Sequence, residues 1–493
     1  MDKPAEESLL STEVGMDTST AKRSNTLVRY GGFVASVGTA RVLGLAITSV
    51  TFPILVRRLG VATYGLWSYV VALCAFLEVV ANPGLTTYIA QQVAARRHAA
   101  ADLVADFLAL RGLSILAAIA ILLLIANLEP RSNVRLLLRW YGFASLCVGF
   151  TGSDSFLTSL ELFHVRSALT LMQQVLYAVG VLTLVHAPKD LLWVPASILG
   201  SALVMNLGGW LVLWRKGFHP SLNVDPARWR MILVPSLHYA ATTMMGTVYH
   251  RTGNLVVQWF LGDYALGLYA AAIRFVDLLR NFVSIAFGVL MPRMALAAQS
   301  RAGLRRLVHA SFSVVAAIGL PLMLGTIATA HLVVPWLLGK GYAEAVQPVR
   351  LLAAFLLVGP MASLLSGTVL YAQGRHRACL ASAAVGALAA VLLSFTLVRP
   401  FGMPGVCIAF VLAELAVAIA AYLLIPRDLR DIWKNPMIAV AGLSGLLMVV
   451  TIRLVNSYSA RPLLVVAAGA VTYLLATAVL GRKLLMEQFG ASR

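Results

Sequence analysis

Residues 59–67 read "LGVATYGLW" and residues 261–269 read "LGDYALGLY". Both have the form Leu-Gly, three variable residues, an apolar or aromatic residue, then Gly-Leu-aromatic, and 202 residues separate their first positions. Each follows an apolar run that carries a proline, Pro53 in the first and Pro235 in the second. Whether this is a duplication depends on the solvent the chain is built for.

Of the 493 residues 60% are hydrophobic and 12% charged, and the mean hydropathy is +0.84. An ordinary globular domain carries roughly 25% charged residues, so this is the composition of an integral membrane protein. Runs such as "LSILAAIAILLLIANL" and "VCIAFVLAELAVAIAAYLLI" approach or reach the ~20 residues a helix needs to cross a bilayer. An outer-membrane barrel would show alternating segments of about ten residues instead. The fold class is therefore all-α and polytopic. Residues 1–29 mix acids and bases and lack an apolar core followed by a cleavage site, which reads as a cytoplasmic tail rather than a signal peptide. Cys74, Cys147, Cys379 and Cys407 sit singly in apolar segments, and His186, His238, His250 and His331 are scattered, so no disulfide framework, metal or cofactor is expected.

Fourteen apolar segments can be marked, near 31–56, 65–85, 106–128, 140–160, 168–186, 191–214, 231–258, 265–291, 307–337, 345–371, 378–399, 402–425, 436–455 and 461–480. With both termini on one side, that side holds about twice as many loop Arg and Lys residues as the other, which places the termini in the cytoplasm. The net charge of +19 then describes a basic surface facing anionic lipid; no cluster of bases interleaved with aromatics suggests nucleic acid.

The two phrases join the first segment to the second and the seventh to the eighth, so the offset equals six helices. This is the mark of two parallel six-helix lobes related by an axis along the membrane normal. The resulting plan is a polar tail (1–29), an N-lobe (30–214), an inter-lobe loop (215–230), a C-lobe (231–425), two further helices (436–480) and a short tail (481–493).

"PILVRRLGVATYGLWSYVVALCAFLEVVANPGL", "NLVVQWFLGDYALGLYAAAIRFVDLL", "VVPWLLGKGYAEAVQPVRLLAA" and "LYAQGRHRA" resemble the polysaccharide-transporter branch of the multidrug/oligosaccharidyl-lipid/polysaccharide exporter superfamily, the O-antigen and exopolysaccharide flippases. The resemblance runs from about residue 25 to 480. It implies two lobes around a central cavity, in a monomer of the bacterial inner membrane. Its cargo would be an undecaprenyl-pyrophosphate-linked oligosaccharide of an O-antigen, capsule or exopolysaccharide, moved from the cytoplasmic to the outer leaflet beside a polysaccharide polymerase and a chain-length regulator. In one place the chain departs from the family. Where the family commonly carries an acid late in the seventh helix, this chain has Gly253 and Asn254, so no carboxylate there can couple to an ion.

Carrying a phosphate through hydrocarbon requires cations and water, and arginine grips phosphate oxygens bidentately while staying charged. An arginine in mid-membrane costs roughly 3 kcal/mol on insertion scales, which makes each one a functional candidate. Arg41 either faces the cavity or pairs with Glu78 or Asp154. Arg274, Asp277 and Arg280, at i, i+3 and i+6, form either a salt-bridge ladder or a ligand site. Along the seventh segment Tyr239, Thr242, Thr243, Gly246, Tyr249, His250, Gly253 and Asn254 recur at helical spacing, a stripe that must face water or protein. Arg251 stands one position off it, at the outer cavity mouth or snorkelling, whereas Arg111 near a span end is expected to snorkel. The intramembrane acids Glu78, Asp154, Asp277 and Glu414 serve either to bind a coupling ion or to pair with arginines.

No G-x-x-x-x-G-K-[ST] loop is present for ATP, and no loop is long enough for the catalytic groups of a membrane enzyme of glycan assembly. A multidrug cation antiporter of the same superfamily would want a cavity dominated by acids. The sequence favours a transporter over an enzyme.

Overall fold

The computed structural model describes residues 38–95, 100–148, 152–218, 224–297, 300–458 and 461–482. The described chain is helical throughout. It runs α1 (Gly38–Leu59), α2 (Val61–Ala81), α3 (Leu85–Ala95), α4 (Ala100–Leu128), α5 (Ser132–Val148), α6 (Ser153–Ser159), α7 (Phe163–Leu184), α8 (Trp193–Arg215), α9 (Pro226–Ala297), α10 (Arg301–Leu338), α11 (Val346–Leu352), α12 (Phe355–Ala362), a π-helical turn (Ser363–Leu370), α13 (His376–Leu424), α14 (Pro436–Tyr458) and α15 (Pro462–Leu480). Almost all of the tail 1–29 and the segment 481–493 lies outside the described residues.

Among the described residues ten helices are long and apolar enough to cross a bilayer, or eleven when Lys340–Leu352 and Phe355–Leu370, bent by 47°, count as one span. The fourteen segments marked in the sequence thus correspond to fewer continuous helices. α9 and α13 each cover two segments, broken at Gly262 and Gly402, and α5 has 17 residues, short of the ~20 that span a bilayer unaided.

The repeated phrase is a repeated structure. Gly60, between α1 and α2, has φ 71° and ψ 169°; Gly262, which breaks α9, has φ 81° and ψ −175°. Only glycine adopts this region at no steric cost. Five residues on, a Cβ at Gly65 would lie 1.8 Å from the Asp263 carbonyl oxygen, and one at Gly267 would lie 2.0 Å from that of Val61. Val61 and Asp263 are themselves 202 positions apart. Each phrase therefore packs its glycine on the backbone of the other, a reciprocal contact expected about a pseudo-two-fold axis.

Further cross-lobe bonds reinforce this end of the bundle. Arg131, between α4 and α5, reaches Asp263 Oδ1 at 3.2 Å, which also accepts from Gln258 Nε2 at 2.7 Å. Tyr342, after α10, donates to the Val56 carbonyl of α1 at 3.2 Å, and Arg57 donates to the Trp336 carbonyl. Arg58 turns the other way and caps α7, donating to the carbonyls of Leu182 and Val185 at 2.7 Å. A cation suits a helix C-terminus because the last carbonyls lack partners and carry partial negative charge.

At the opposite end, α3 packs on the start of α9. A Cβ at Gly84 would lie 2.2 Å from the Ser236 carbonyl. α9 already begins at Pro226, inside the segment 215–230 read as a loop. Its start is pinned to the buried Asp106 of α4, which accepts from the Asp225 amide at 2.7 Å and lies 3.6 Å from Arg228. An Asp106→Ala variant is expected to lose about 1–3 kcal/mol, because the Asp225 amide loses its carboxylate acceptor while Arg228 keeps Asp225 at 3.0 Å; thermal unfolding of the purified protein would show this. α14 and α15 pack on α10, where Asn435 Nδ2 donates to Ser313 Oγ at 2.7 Å and Tyr473 Oη donates to the Ala317 carbonyl at 2.6 Å.

Candidate functional site: a charged cavity between the lobes

A cavity of about 870 Å³ lies between the lobes. α2 lines it with Tyr64, Trp67, Ser68, Val71, Ala75, Glu78 and Val79, one face of a helix read every third or fourth residue, and Asn82 follows at its C-cap. α9 does so twice, with Thr243, Gly246, Thr247, His250, Arg251 and Asn254 before its break and Ala270, Ile273, Arg274, Asp277 and Arg280 after it. Tyr141 of α5, Tyr177 of α7 and Phe410 of α13 close the walls.

Three arginines and two carboxylates thus meet in an otherwise apolar bundle. Arg280 Nε lies 3.3 Å from Asp277 Oδ1, and its guanidinium stands 5.2 Å from the Phe355 ring centroid. Within Arg274, Asp277 and Arg280 the ladder is therefore made between the last two. Among the described residues Arg251 and Arg274 form no ion pair, and Arg274 is exposed within the cavity. A guanidinium left without a carboxylate at mid-membrane is tolerated where water or an anionic ligand solvates it.

The other sequence candidates divide. Thr243, His250, Asn254 and Glu78 line the cavity. Arg41 does not: it is exposed on α1, where Thr48, Thr51, Phe52 and Leu55 are the lining residues. Tyr239 turns to α3 and donates to Gln91 Oε1 at 2.8 Å, and Thr242 is exposed and bonded to the His238 carbonyl of its own helix. Tyr249 is buried, stacked on Phe410 with centroids 5.6 Å apart. Asp154 is paired with Arg166 at 2.5 Å, outside the cavity. Arg111, expected to snorkel, is buried instead; its Nη1 donates to Thr86 Oγ1 at 2.7 Å.

A second cavity, of about 220 Å³, adjoins the first. His250 and Gly246 belong to both linings. Glu414 of α13 faces it, 5% exposed, and its Oε2 has no hydrogen-bond partner among the described residues. Ser363, Ser366 and Gly367 of the π-helical turn complete that wall. π-turns interrupt a helix at a cost and are frequent at functional sites.

Sequence reasoning passed over the aromatic wall formed by Tyr64, Trp67, Tyr141 and Tyr177. Its signal was present on α2, where Tyr64, Trp67 and Glu78 share one helical face; Tyr141 and Tyr177 join that wall through tertiary packing alone.

Residues 32–298, more than half the chain, match the family described as polysaccharide biosynthesis protein. No curated protein matches the sequence. Among solved structures, the fold is similar to lipid II flippase MurJ in an inward closed conformation, with TM-score 0.75, 15% identity, and 92% of this chain and 99% of that one covered. It is also similar to multidrug resistance MATE transporters of the MOP superfamily. An inward-facing form gives TM-score 0.65 at 15% identity over 81% of this chain and 99% of that one. An outward-facing form gives 0.56 at 18% identity over 82% and 96%. With the two lobes, the repeated glycine contact and the matched region in hand, this chain belongs to the polysaccharide biosynthesis protein family.

Proposed function

We propose that the chain is a flippase that carries an oligosaccharide linked to a polyprenyl pyrophosphate from the cytoplasmic to the outer leaflet of a bacterial inner membrane. The observation that carries this reading is the placement of Arg251, Arg274 and Arg280 in an inter-lobe cavity with two carboxylates against them. A cation drug would be repelled by that excess, whereas a pyrophosphate gains charge-assisted hydrogen bonds from it. The lipid tail can stay in the bilayer while the head crosses between the lobes.

Alternating access is supported by the fold, since proteins of this architecture are known inward-facing and outward-facing. In this reading the end sealed by the two phrases is the outer one and both termini are cytoplasmic. O-antigen, capsule and exopolysaccharide units all fit the cavity's chemistry, and a polymerase and chain-length regulator would act on the product outside. Glu414 and Glu78 are the acids available for ion coupling among the described residues, because Asp154 and Asp277 already have arginine partners.

Deletion of the gene is expected to strand lipid-linked glycan on the inner leaflet and to remove the corresponding surface polysaccharide. A lipid analysis that found no accumulated glycolipid would overturn the assignment. Glu414→Gln is expected to lower export about tenfold, a barrier change near 1.4 kcal/mol, at unchanged protein level. Full export by that variant would exclude Glu414 from coupling.

A further inference from the structure

The two walls of the central cavity differ in chemistry, and the difference follows the division between the lobes. All three lining guanidiniums, Arg251, Arg274 and Arg280, stand on α9. The facing wall, built from α1, α2, α3, α5, α7 and α8, places no Arg or Lys among the described lining residues. It presents Tyr64, Trp67, Tyr141 and Tyr177 together with Glu78.

These aromatic groups are held in fixed positions. Trp67 and Tyr141 pack edge to face with centroids 4.8 Å apart. Among the described residues, the hydroxyls of Tyr141 and Tyr177 have no hydrogen-bond partner within the protein, and neither is among the polar atoms sealed away from solvent. Both residues line the cavity. An aromatic ring with a free hydroxyl offers an apolar face for the C–H side of a sugar and a partner for its hydroxyls. Glu78, exposed on the same wall, accepts from hydroxyls and repels phosphate.

We infer that the cavity holds its cargo in one orientation, with the pyrophosphate against the α9 arginines and the first sugars against the aromatic wall of α2, α5 and α7. This rests on the flippase reading above and goes beyond it by assigning two subsites. A glycosylated lipid then touches both lobes, whereas a bare carrier pyrophosphate touches one. Discrimination between loaded and empty carrier follows, because only the loaded form satisfies the hydroxyls on the second wall.

The test uses the full chain in lipid nanodiscs and two probes, undecaprenyl pyrophosphate and the glycolipid extracted from the deletion strain. The double variant Tyr141→Phe/Tyr177→Phe keeps both rings and removes only the hydroxyls. It is expected to bind the glycolipid about tenfold more weakly, the scale of two lost hydrogen bonds, while its affinity for undecaprenyl pyrophosphate stays within about twofold. Trp67→Phe, a second and independent change on the same wall, is expected to show the same selectivity. Arg274→Gln is expected to weaken both probes by about tenfold or more, since a charge-assisted contact is lost in each case. Equal losses for both probes in the aromatic variants, or none for either, would overturn the two-subsite assignment. Failure of the unmodified protein to bind either probe would instead overturn the flippase reading itself.

Discussion

Gly65→Ala is expected to unseal the end of the bundle that the two phrases close, and Gly267→Ala to do the same. The added Cβ would lie 1.8 Å from the Asp263 carbonyl oxygen in one case and 2.0 Å from that of Val61 in the other. Both obstacles are backbone, with no side chain to swing aside, so the lobes themselves must separate. Overpacking of this kind costs typically about 1–3 kcal/mol, which shifts a two-state equilibrium roughly five- to 150-fold away from the closed form. Cys74, Cys147, Cys379 and Cys407 would first be replaced, and a cysteine installed at Ser68, which lines the cavity. Labelling of that cysteine by a membrane-impermeant maleimide applied from outside should rise in both alanine variants while polysaccharide export falls about tenfold or more. Gly200→Ala is the control, since a Cβ there meets nothing within 4 Å. Unchanged labelling and export in both variants would mean that the phrases do not form the outer seal.

Charge reversal at Arg274 is expected to abolish export. Arg274 is exposed in the cavity and has no ion pair among the described residues. A phosphate about 4 Å away interacts with it by roughly 4 kcal/mol at an effective dielectric constant near 20, and reversing the sign turns that attraction into repulsion of similar size. A loss beyond about a hundredfold follows, at unchanged protein in the membrane. Arg41→Glu is expected to leave export near normal, because Arg41 is exposed on α1 outside the lining. The pair separates a site from a mere need for basic residues: equal effects at the two positions would remove the cavity arginines from phosphate recognition.

Much of the architecture is written in local pattern. Composition alone requires helices, since a bilayer leaves no water to satisfy backbone groups that a helix does not. The two phrases disclose the duplication because the constraint on them is backbone conformation and close approach. Gly60 and Gly262 need a positive φ, and Gly65 and Gly267 need the absence of a Cβ. No other residue substitutes for glycine in those roles, so the letters survive where the surrounding apolar residues drift. The stripe on the first part of α9 was legible for a similar reason, since a polar face on an apolar helix has a period.

What a helical period does not carry is which face meets which neighbour. Thr242 and Thr243 are adjacent on the same stripe, yet only Thr243 lines the cavity. Tyr239, Asp154 and Arg41 carry the same chemistry as residues that do line it, yet Tyr239 is turned to α3, Asp154 is held by Arg166, and Arg41 is exposed outside the lining. Arg111 finds Thr86 rather than the membrane surface. The sequence by itself determined the solvent, the helices and the internal duplication, because these follow from side-chain hydropathy and glycine stereochemistry one segment at a time. Only the tertiary structure decided that three arginines of one lobe confront an aromatic wall of the other, because that confrontation is set by how helices distant in the chain rotate and cross when they pack.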